Sequence, residues 1–189
     1  HSILEPNGLR IETPAGAILH TGDWKIDPEP LIGGKINSKD GSHHVEVCNN
    51  AIKSLKDYSI QVEKQSKWYI TEPIPKSDQP NFFNCVIIAS TKQNEYDVLK
   101  SLHEIEAKFG RKRNKINEPR SVDLDLIDYS SKVLQNKKIT IPHPRAHLRR
   151  FVMGPLAEME PDWIHPILKL SVLEILKGLD EQKLEEFSI

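Results

Sequence analysis

Cysteine is scarce in this chain: Cys48 and Cys85 are two among 189 residues. Two cysteines in apolar surroundings provide neither a disulfide framework nor a zinc cluster, and they fit a reducing compartment. Long apolar runs are missing as well. No stretch approaches the roughly 18 apolar residues that a membrane-spanning helix needs. The opening His1–Glu5 has neither the basic nor the apolar region of a signal peptide. A cytoplasmic location is expected, and the non-methionine start points to a processed or incomplete product. An excess of one charge is lacking too, since 26 Lys and Arg face 27 Asp and Glu, for a net charge of −1. The chain as a whole is therefore not a nucleic-acid-binding cation. What remains, 38% apolar and 28% charged residues, suits one soluble domain of ordinary size with room for a small appendage.

The texture changes along the chain. Residues 1–36 hold Pro6, Pro14, Pro28, Pro30 and five of the nine glycines. Leu9–Thr13 and Ala17–His20, on either side of Pro14-Ala15-Gly16, read as a β-hairpin. So short a piece buries no core of its own, and Gly33-Gly34 with Asn37–Gly41 marks a junction. Beyond it, Val45, Cys48, Ala51, Ile52 and Leu55 follow helical spacing, with Asp40 or Ser42 as N-cap. Ile60–Ile70 reads as a strand. Glu72–Asn81, with Pro73, Pro75 and Pro80, reads as a loop. Phe82–Ala89 is a second strand. Asn94–Phe109 is an amphipathic helix closed by Gly110, and Ser171-Val172-Leu173-Glu174 opens a last helix with a capping box. The pattern predicts an α+β domain over residues 37–189 with helices on one face of an antiparallel sheet. Residues 1–36 are expected to be an appendage rather than an independent domain.

The most informative run is Arg120-Ser121-Val122-Asp123-Leu124-Asp125-Leu126-Ile127. Alternation along a strand places Leu124 and Leu126 on one face and both aspartates on the other. Two carboxylates so spaced lie roughly 6–7 Å apart, where they repel each other and resist desolvation. A hard divalent cation relieves both problems, and Mg²⁺ favours one or two carboxylates plus phosphate oxygens. Alone, Asp-x-Asp is a common surface pattern. Here cations flank it on both sides. Gly110-Arg111-Lys112-Arg113 and Arg120 precede it, and Ile141-Pro142-His143-Pro144-Arg145, Arg149 and Arg150 follow. Guanidinium forks grip phosphate oxygens while metal ions bridge them. Phe82 and Phe151 taken singly read as core aromatics, and Glu106 with His103 as a solvated helix face. Asn84 inside an apolar strand needs a hydrogen-bond partner.

Taken in order, the blocks Trp68–Ile74, Asp78–Asn84, Ile105-Glu106 with Gly110–Arg113, Pro119-Arg120 with Asp123-Leu124-Asp125, and Ile141–Arg145 with Arg149 and Phe151 form one set. The set resembles the 6-hydroxymethyl-7,8-dihydropterin pyrophosphokinases, folate-pathway enzymes with a ferredoxin-like core. The similarity runs from about Asn49 to Pro166. The resemblance implies that Asp123 and Asp125 hold two Mg²⁺ ions bridging ATP. It implies that Arg113, Arg120, His143 and Arg149 contact the polyphosphate, with Arg111 assisting. Arg113 and Arg120 would share the catalytic role with the two aspartates. Leu99, His103, Glu106 and Leu126 would line the adenosine side. Phe82 and Phe151 would stack on the pterin, while Asn84 and the backbone near Thr71 and Ile74 bond its edge. Flat polar heterocycles are well held by aromatic faces and a few fixed donors and acceptors.

The chain departs from that pattern at three places. The family opens on an apolar strand running into Gly-Ser-Asn, which nothing before the first helix reproduces. Glu118-Pro119-Arg120 stands where Gly-Pro-Arg is usual, and Asn117 where some members carry tryptophan. The leader has its own likeness: His1-Ser2-Ile3 and Gly16–Asp27 resemble metallo-β-lactamase-fold ribonucleases of the J class, in which His1 and Asp23 would bind zinc. The companion His-x-His-x-Asp-His segment is absent from this sequence, and two ligands make no hydrolytic zinc site. A ferredoxin-like core is expected whose first strand is missing, or replaced by Leu9–Thr13, Ala17–His20 or Leu31–Ile36. The expected function is ATP-dependent diphosphate transfer to hydroxymethyl-dihydropterin by a cytoplasmic monomer binding neither nucleic acid nor membrane. The alternative is a catalytically impaired fusion remnant of the same fold that at most binds nucleotide.

Overall fold

The protein is described here by a computed structural model, covering residues 16–21, 42–71, 81–109, 122–179 and 182–188. Its organising element is strand β4 (Phe82–Thr91), ten residues long, whose interior is buried on both faces. Alternation along it is clean. Phe83, Cys85, Ile87 and Ala89 enter one apolar cluster, while Val86 enters a second cluster on the opposite face. Two shorter strands, β2 (Ile60–Gln65) and β3 (Trp68–Thr71), run in succession antiparallel along one edge of β4. Between them Ser66 bonds β4, its N–H reaching Val86 O at 2.9 Å and its Oγ accepting from Val86 N at 3.0 Å.

The other edge of β4 answers the question of the lost strand. Strand β1 (Gly16–Thr21), from within the proline- and glycine-rich leader, pairs antiparallel with β4, Leu19 opposite Ile87 and His20 opposite Val86. Its far edge pairs antiparallel with β5 (Leu124–Tyr129), Leu19 opposite Leu126 and His20 opposite Asp125. The sheet order is thus β5-β1-β4 followed by β2 and β3, with a short strand β8 (Glu185–Phe187) added beside β3. The first strand is replaced, and by the Ala17–His20 run. Leu9–Thr13 and Leu31–Ile36, the other two candidate runs, lie outside the described residues. The expected junction near residues 35–42 falls between β1 and the first helix.

Helices α1 (Ser42–Ser54) and α2 (Glu95–Lys108) pack Val45, Cys48, Val98, Leu102 and Ile105 on the sheet face that carries Ala17, Leu19 and Leu126. Asn94 caps α2, its side chain accepting from Tyr96 N and Asp97 N at 3.0 Å each. The opposite face is covered as well, by α3 (Arg150–Met159) and α4 (Val172–Lys177), whose Val152, Met153, Leu156 and Ile175 pack on Ile18, Val86 and Ile127. Sequence periodicity does not single out α3. The capping box of α4 is formed in both directions, Ser171 Oγ accepting from Glu174 N and Glu174 from Ser171 N. A hairpin of two-residue strands, β6 (Leu134–Gln135) with β7 (Thr140–Ile141), completes the strands among the described residues.

One irregularity bears on the site. Ile18 pairs with Asp128 and Leu19 with Leu126, so Ile127 is an extra residue in β5. Such a bulge bends the strand and resets its alternation. It lets Leu126 face the α1–α2 cluster while Ile127 and Asp128 both face the α3 side.

Candidate active site

Cross-strand pairing assembles the site on the α3 face of the sheet. Residues directly opposite in an antiparallel pair share a face, so His20 of β1 stands beside Asp125 of β5, with Nδ1 4.0 Å from Asp125 Oδ2. Asn84 lies two residues before Val86, the β4 partner of His20, and therefore diagonally across from it on the same face. Asp123 sits just before β5, 8% exposed, and Val122 beside it is in the core. The Asp-x-Asp alternation is as expected from sequence, although the regular strand begins only at Leu124. Glu106 of α2 holds that entry, its Oε1 accepting from Leu124 N at 3.0 Å.

The cations and aromatics come from the segment after β7. His143 donates its backbone N–H to Ile127 O at 2.8 Å, fastening this segment to β5. Arg145 N donates to His143 Nδ1 at 3.2 Å, which leaves Nε2 as the N–H donor of an uncharged ring. Arg149, at the N-cap of α3, reaches Asp125 with Nη1 3.9 Å from Oδ2, and its guanidinium lies over the Phe151 ring, 5.4 Å from the centroid. Phe151 in turn leans on His20, ring centroids 5.5 Å apart and planes 39° apart. Arg150 turns elsewhere, its N–H bonding Gln182 Oε1 at 2.8 Å and its Nη1 bonding Leu179 O at 3.2 Å.

Burial and the Arg149 charge dominate the electrostatics. Burial first, then Arg149, lowers the His20 pKa to about 3, against smaller raising effects of Asp123 and the nearby Asn84 amide. Burial, then Arg149 and Arg145, lowers His143 to about 4. Both imidazoles are uncharged at neutral pH. Two of the groups are also short of partners. Neither ring nitrogen of His20, nor Asn84 Oδ1, has a hydrogen bond of normal geometry among the described residues. Asn84 Nδ2 donates to Thr71 Oγ1 at 2.9 Å, which orients the carboxamide, and its interaction with His20 raises the imidazole pKa without reaching normal hydrogen-bond geometry.

Of the residues expected from sequence, Asp123, Asp125, His143, Arg149, Phe151 and Asn84 converge on this face. Phe82 shares the parity of Asn84 on β4 and is half-buried, and Thr71 pairs with it across β3. Leu99 and Leu126 sit elsewhere, in or against the α1–α2 cluster on the other side of the sheet, with His103 and Glu106 along the same helix α2. Ile74, Arg111, Arg113 and Arg120 lie outside the described residues. Sequence reasoning misses His20. Its signal is present in Ala17–His20, where alternation puts Ile18 and His20 on the face opposite Ala17 and Leu19. No cluster of three or more His, Cys, Asp or Glu suited to a metal occurs among the described residues. Two carboxylates fit Mg²⁺ all the same, which completes its shell with phosphate and water.

Fold and site together define a ferredoxin-like α+β domain with a sheet face on which paired carboxylates adjoin a guanidinium, an aromatic ring and a polar amide. A sequence model of the family described as 7,8-dihydro-6-hydroxymethylpterin-pyrophosphokinase (HPPK) matches residues 33–161, and the chain belongs to that family. Among its relatives, the 2-amino-4-hydroxy-6-hydroxymethyldihydropteridine pyrophosphokinase of Haemophilus influenzae is 31% identical over 154 residues, 81% of this chain and 92% of that protein. The protein of the same name from Synechocystis sp. is 36% identical over 121 residues, 64% of this chain and 62% of its own. The folic acid synthesis protein fol1 of Pneumocystis carinii is 35% identical over 130 residues, 69% of this chain but 18% of that protein. The chain thus spans less than two thirds of several curated relatives it matches. A crystal structure of an HPPK-DHPS in complex with substrates superposes with a TM-score of 0.58 at 13% identity, covering 88% of this chain and 43% of that one. That likeness establishes the fold. No helix among the described residues is long and apolar enough to cross a membrane.

Proposed function

We propose that this protein transfers the terminal diphosphate of ATP to the hydroxymethyl group of 6-hydroxymethyl-7,8-dihydropterin, releasing AMP. The observation that carries the reading is convergence. Asn84 of β4, Asp123 and Asp125 at β5, His143 of the following loop, and Arg149 with Phe151 at α3 meet on one sheet face. The polar and charged groups divide by task. Asn84 Oδ1 accepts from the edge of the pterin while Phe82 and Phe151 stack on its faces. Arg149 and the Nε2–H of His143 bond phosphate oxygens, aided by Arg111, Arg113 and Arg120. On the family resemblance the adenosine side falls to Leu99, His103, Glu106 and Leu126, which lie along α2 and β5 away from the pterin face, and the pterin edge to the backbone of Thr71 and Ile74.

In the reaction the hydroxymethyl oxygen attacks the β-phosphorus in line, the new O–P bond forming as the α–β bridging bond breaks. Asp123 and Asp125 are the side chains that would hold two Mg²⁺ ions, which neutralise polyphosphate charge when bound. The chain contributes position and charge, with no covalent intermediate and no side chain assigned as general base. The protein acts as a cytoplasmic monomer without nucleic-acid partners. The likeness of residues 1–36 to J-class ribonucleases is a mark of origin, without hydrolytic activity.

The test is product analysis. ATP, Mg²⁺ and the dihydropterin should yield AMP and a pterin diphosphate, with no AMP when the pterin is left out. ATP binding without AMP formation would leave a nucleotide-binding remnant and overturn the catalytic reading.

A further inference from the structure

Strand β1 does more than close the sheet. The family match begins at residue 33, so β1 lies outside it, and yet it carries one side chain into the middle of the candidate site. His20 is 1% exposed on a strand whose other described side chains, Ala17, Ile18 and Leu19, are apolar. A buried imidazole normally secures its nitrogens, because unsatisfied buried polar atoms are costly. Here Nδ1 stops 4.0 Å from Asp125 Oδ2, too far for a bond, and Nε2 has no partner among the described residues either. Asn84 Oδ1, across the β1–β4 pairing, is in the same condition. His20 and Asn84 lie close enough for the amide to raise the imidazole pKa, yet neither Asn84 Oδ1 nor the ring nitrogens make a hydrogen bond of normal geometry. Two underbonded polar side chains therefore gather beside Phe151, next to the carboxylate proposed for the metal.

Apolar replacements fit this position by shape, since Ile18 occupies the same face one pleat earlier. Packing alone does not call for an imidazole. Asn84 offers it one strained partner, and a donor and acceptor of normal geometry for both nitrogens come only if a ligand brings complementary atoms to this spot. The neighbours narrow the ligand: an amide oxygen on one flank and an aromatic ring against the imidazole suit the edge of a flat heterocycle better than a phosphate. Phe151 leans on the imidazole, so a turn of that ring to stack on a ligand would open the His20 edge.

We propose that His20 is a substrate-contacting residue, its ring nitrogens hydrogen-bonding the pterin edge between Asn84 and Asp125, so that the leader strand supplies part of the pterin site. The inference rests on the pterin reading above. It makes residues 16–21 a working part of the site in addition to a structural repair.

The experiment titrates 6-hydroxymethylpterin calorimetrically into full-length protein with Mg²⁺ and α,β-methylene-ATP. Wild type is compared with His20→Leu, His20→Gln and Asn84→Ala, with thermal unfolding of each ligand-free protein alongside. His20→Leu should weaken pterin binding at least ten-fold, leave the nucleotide analogue unchanged, and unfold at the same or a higher temperature. His20→Gln, which retains a donor and an acceptor, should recover part of the affinity. A purely structural histidine would give the reverse pattern, lower stability with both ligands weakened alike or with pterin affinity unchanged, and that result overturns the inference, as does failure of both variants to fold. Loss of pterin binding in Asn84→Ala with none in His20→Leu would sink His20 and spare the pterin site. A wild type that binds no pterin would remove the functional reading itself, and His20's role with it.

Discussion

Replacing Leu19 by alanine tests whether the leader strand belongs to the fold. Leu19 is fully buried at the centre of β1, paired with Ile87 on one side and Leu126 on the other. Its side chain faces the larger apolar cluster under α1 and α2. The change removes three carbons, about 2.4 kcal/mol at about 0.8 kcal/mol for each buried methylene-sized group. A residual cavity of roughly 50 Å³ adds about 1 kcal/mol at about 24 cal/mol per Å³. The total, about 3–4 kcal/mol, lies inside the usual range of roughly 2–5 kcal/mol for leucine truncation in a core. For a protein of this size it corresponds to a drop in Tm of about 6–16 °C. Urea unfolding followed by circular dichroism measures it directly. Leu173→Ala, at a half-exposed position of α4, is the control and should stay within about 0.5 kcal/mol of wild type. If Leu19→Ala matches that control, β1 is not anchored in the sheet, and the β5-β1-β4 order is wrong.

Three more outcomes are expected. Asp125→Ala should abolish Mg²⁺-dependent nucleotide binding in a calorimetric titration while leaving the urea midpoint intact; undiminished binding would remove the metal assignment. Phe151→Ala should weaken pterin binding by about 1–3 kcal/mol, the range for aromatic–base stacking, and nucleotide binding much less. Because Phe151 also belongs to the α3-side cluster, its Tm should fall as well, and equal losses for both ligands would make it core alone. Asp128 is buried on the α3 side, and burial raises its pKa above 3.8 despite bonds from Trp163 Nε1 and Ser131 N. Its protonated form is favoured in the fold, so this contribution to stability is complete below the unfolded pKa and is lost as pH rises through the folded one. Asp128→Asn should therefore be more stable than wild type at pH 7, with the gain vanishing as pH falls toward 3.8; a pH-independent difference in denaturation midpoints would refute the linkage.

Local chemistry is legible in the sequence because it acts over a few residues. Asn94 before a 3.6-residue apolar repeat, and Ser171 three residues before Glu174, specify helix starts through bonds within one turn. The alternation of Asp123 and Asp125 with Leu124 and Leu126 separates acids from core side chains through the geometry of a strand. Phe82, Asn84 and Phe151 form a set only through the family resemblance, since singly the two phenylalanines read as core. What such patterns lack is the partner. A short apolar run states that it will be a strand but not which edge will take it, and three runs in the leader meet that description equally.

The sequence by itself determined helices α1, α2 and α4, strand β4 and the face on which the paired carboxylates lie, because these follow from spacing within a few residues. It presents β2 and β3 as one strand, Ile60–Ile70, and does not announce α3. Tertiary structure decided the rest. It chose Ala17–His20 as the strand between β4 and β5, because only pairing on both edges satisfies a central strand's backbone groups. It set Leu126 apart from Ile127 and Asp128 through a bulge that no periodicity announces. It also placed His20 against Asp125, Asn84 and Phe151, residues 64 to 131 positions away in the chain, since cross-strand neighbours are fixed by register and not by sequence distance.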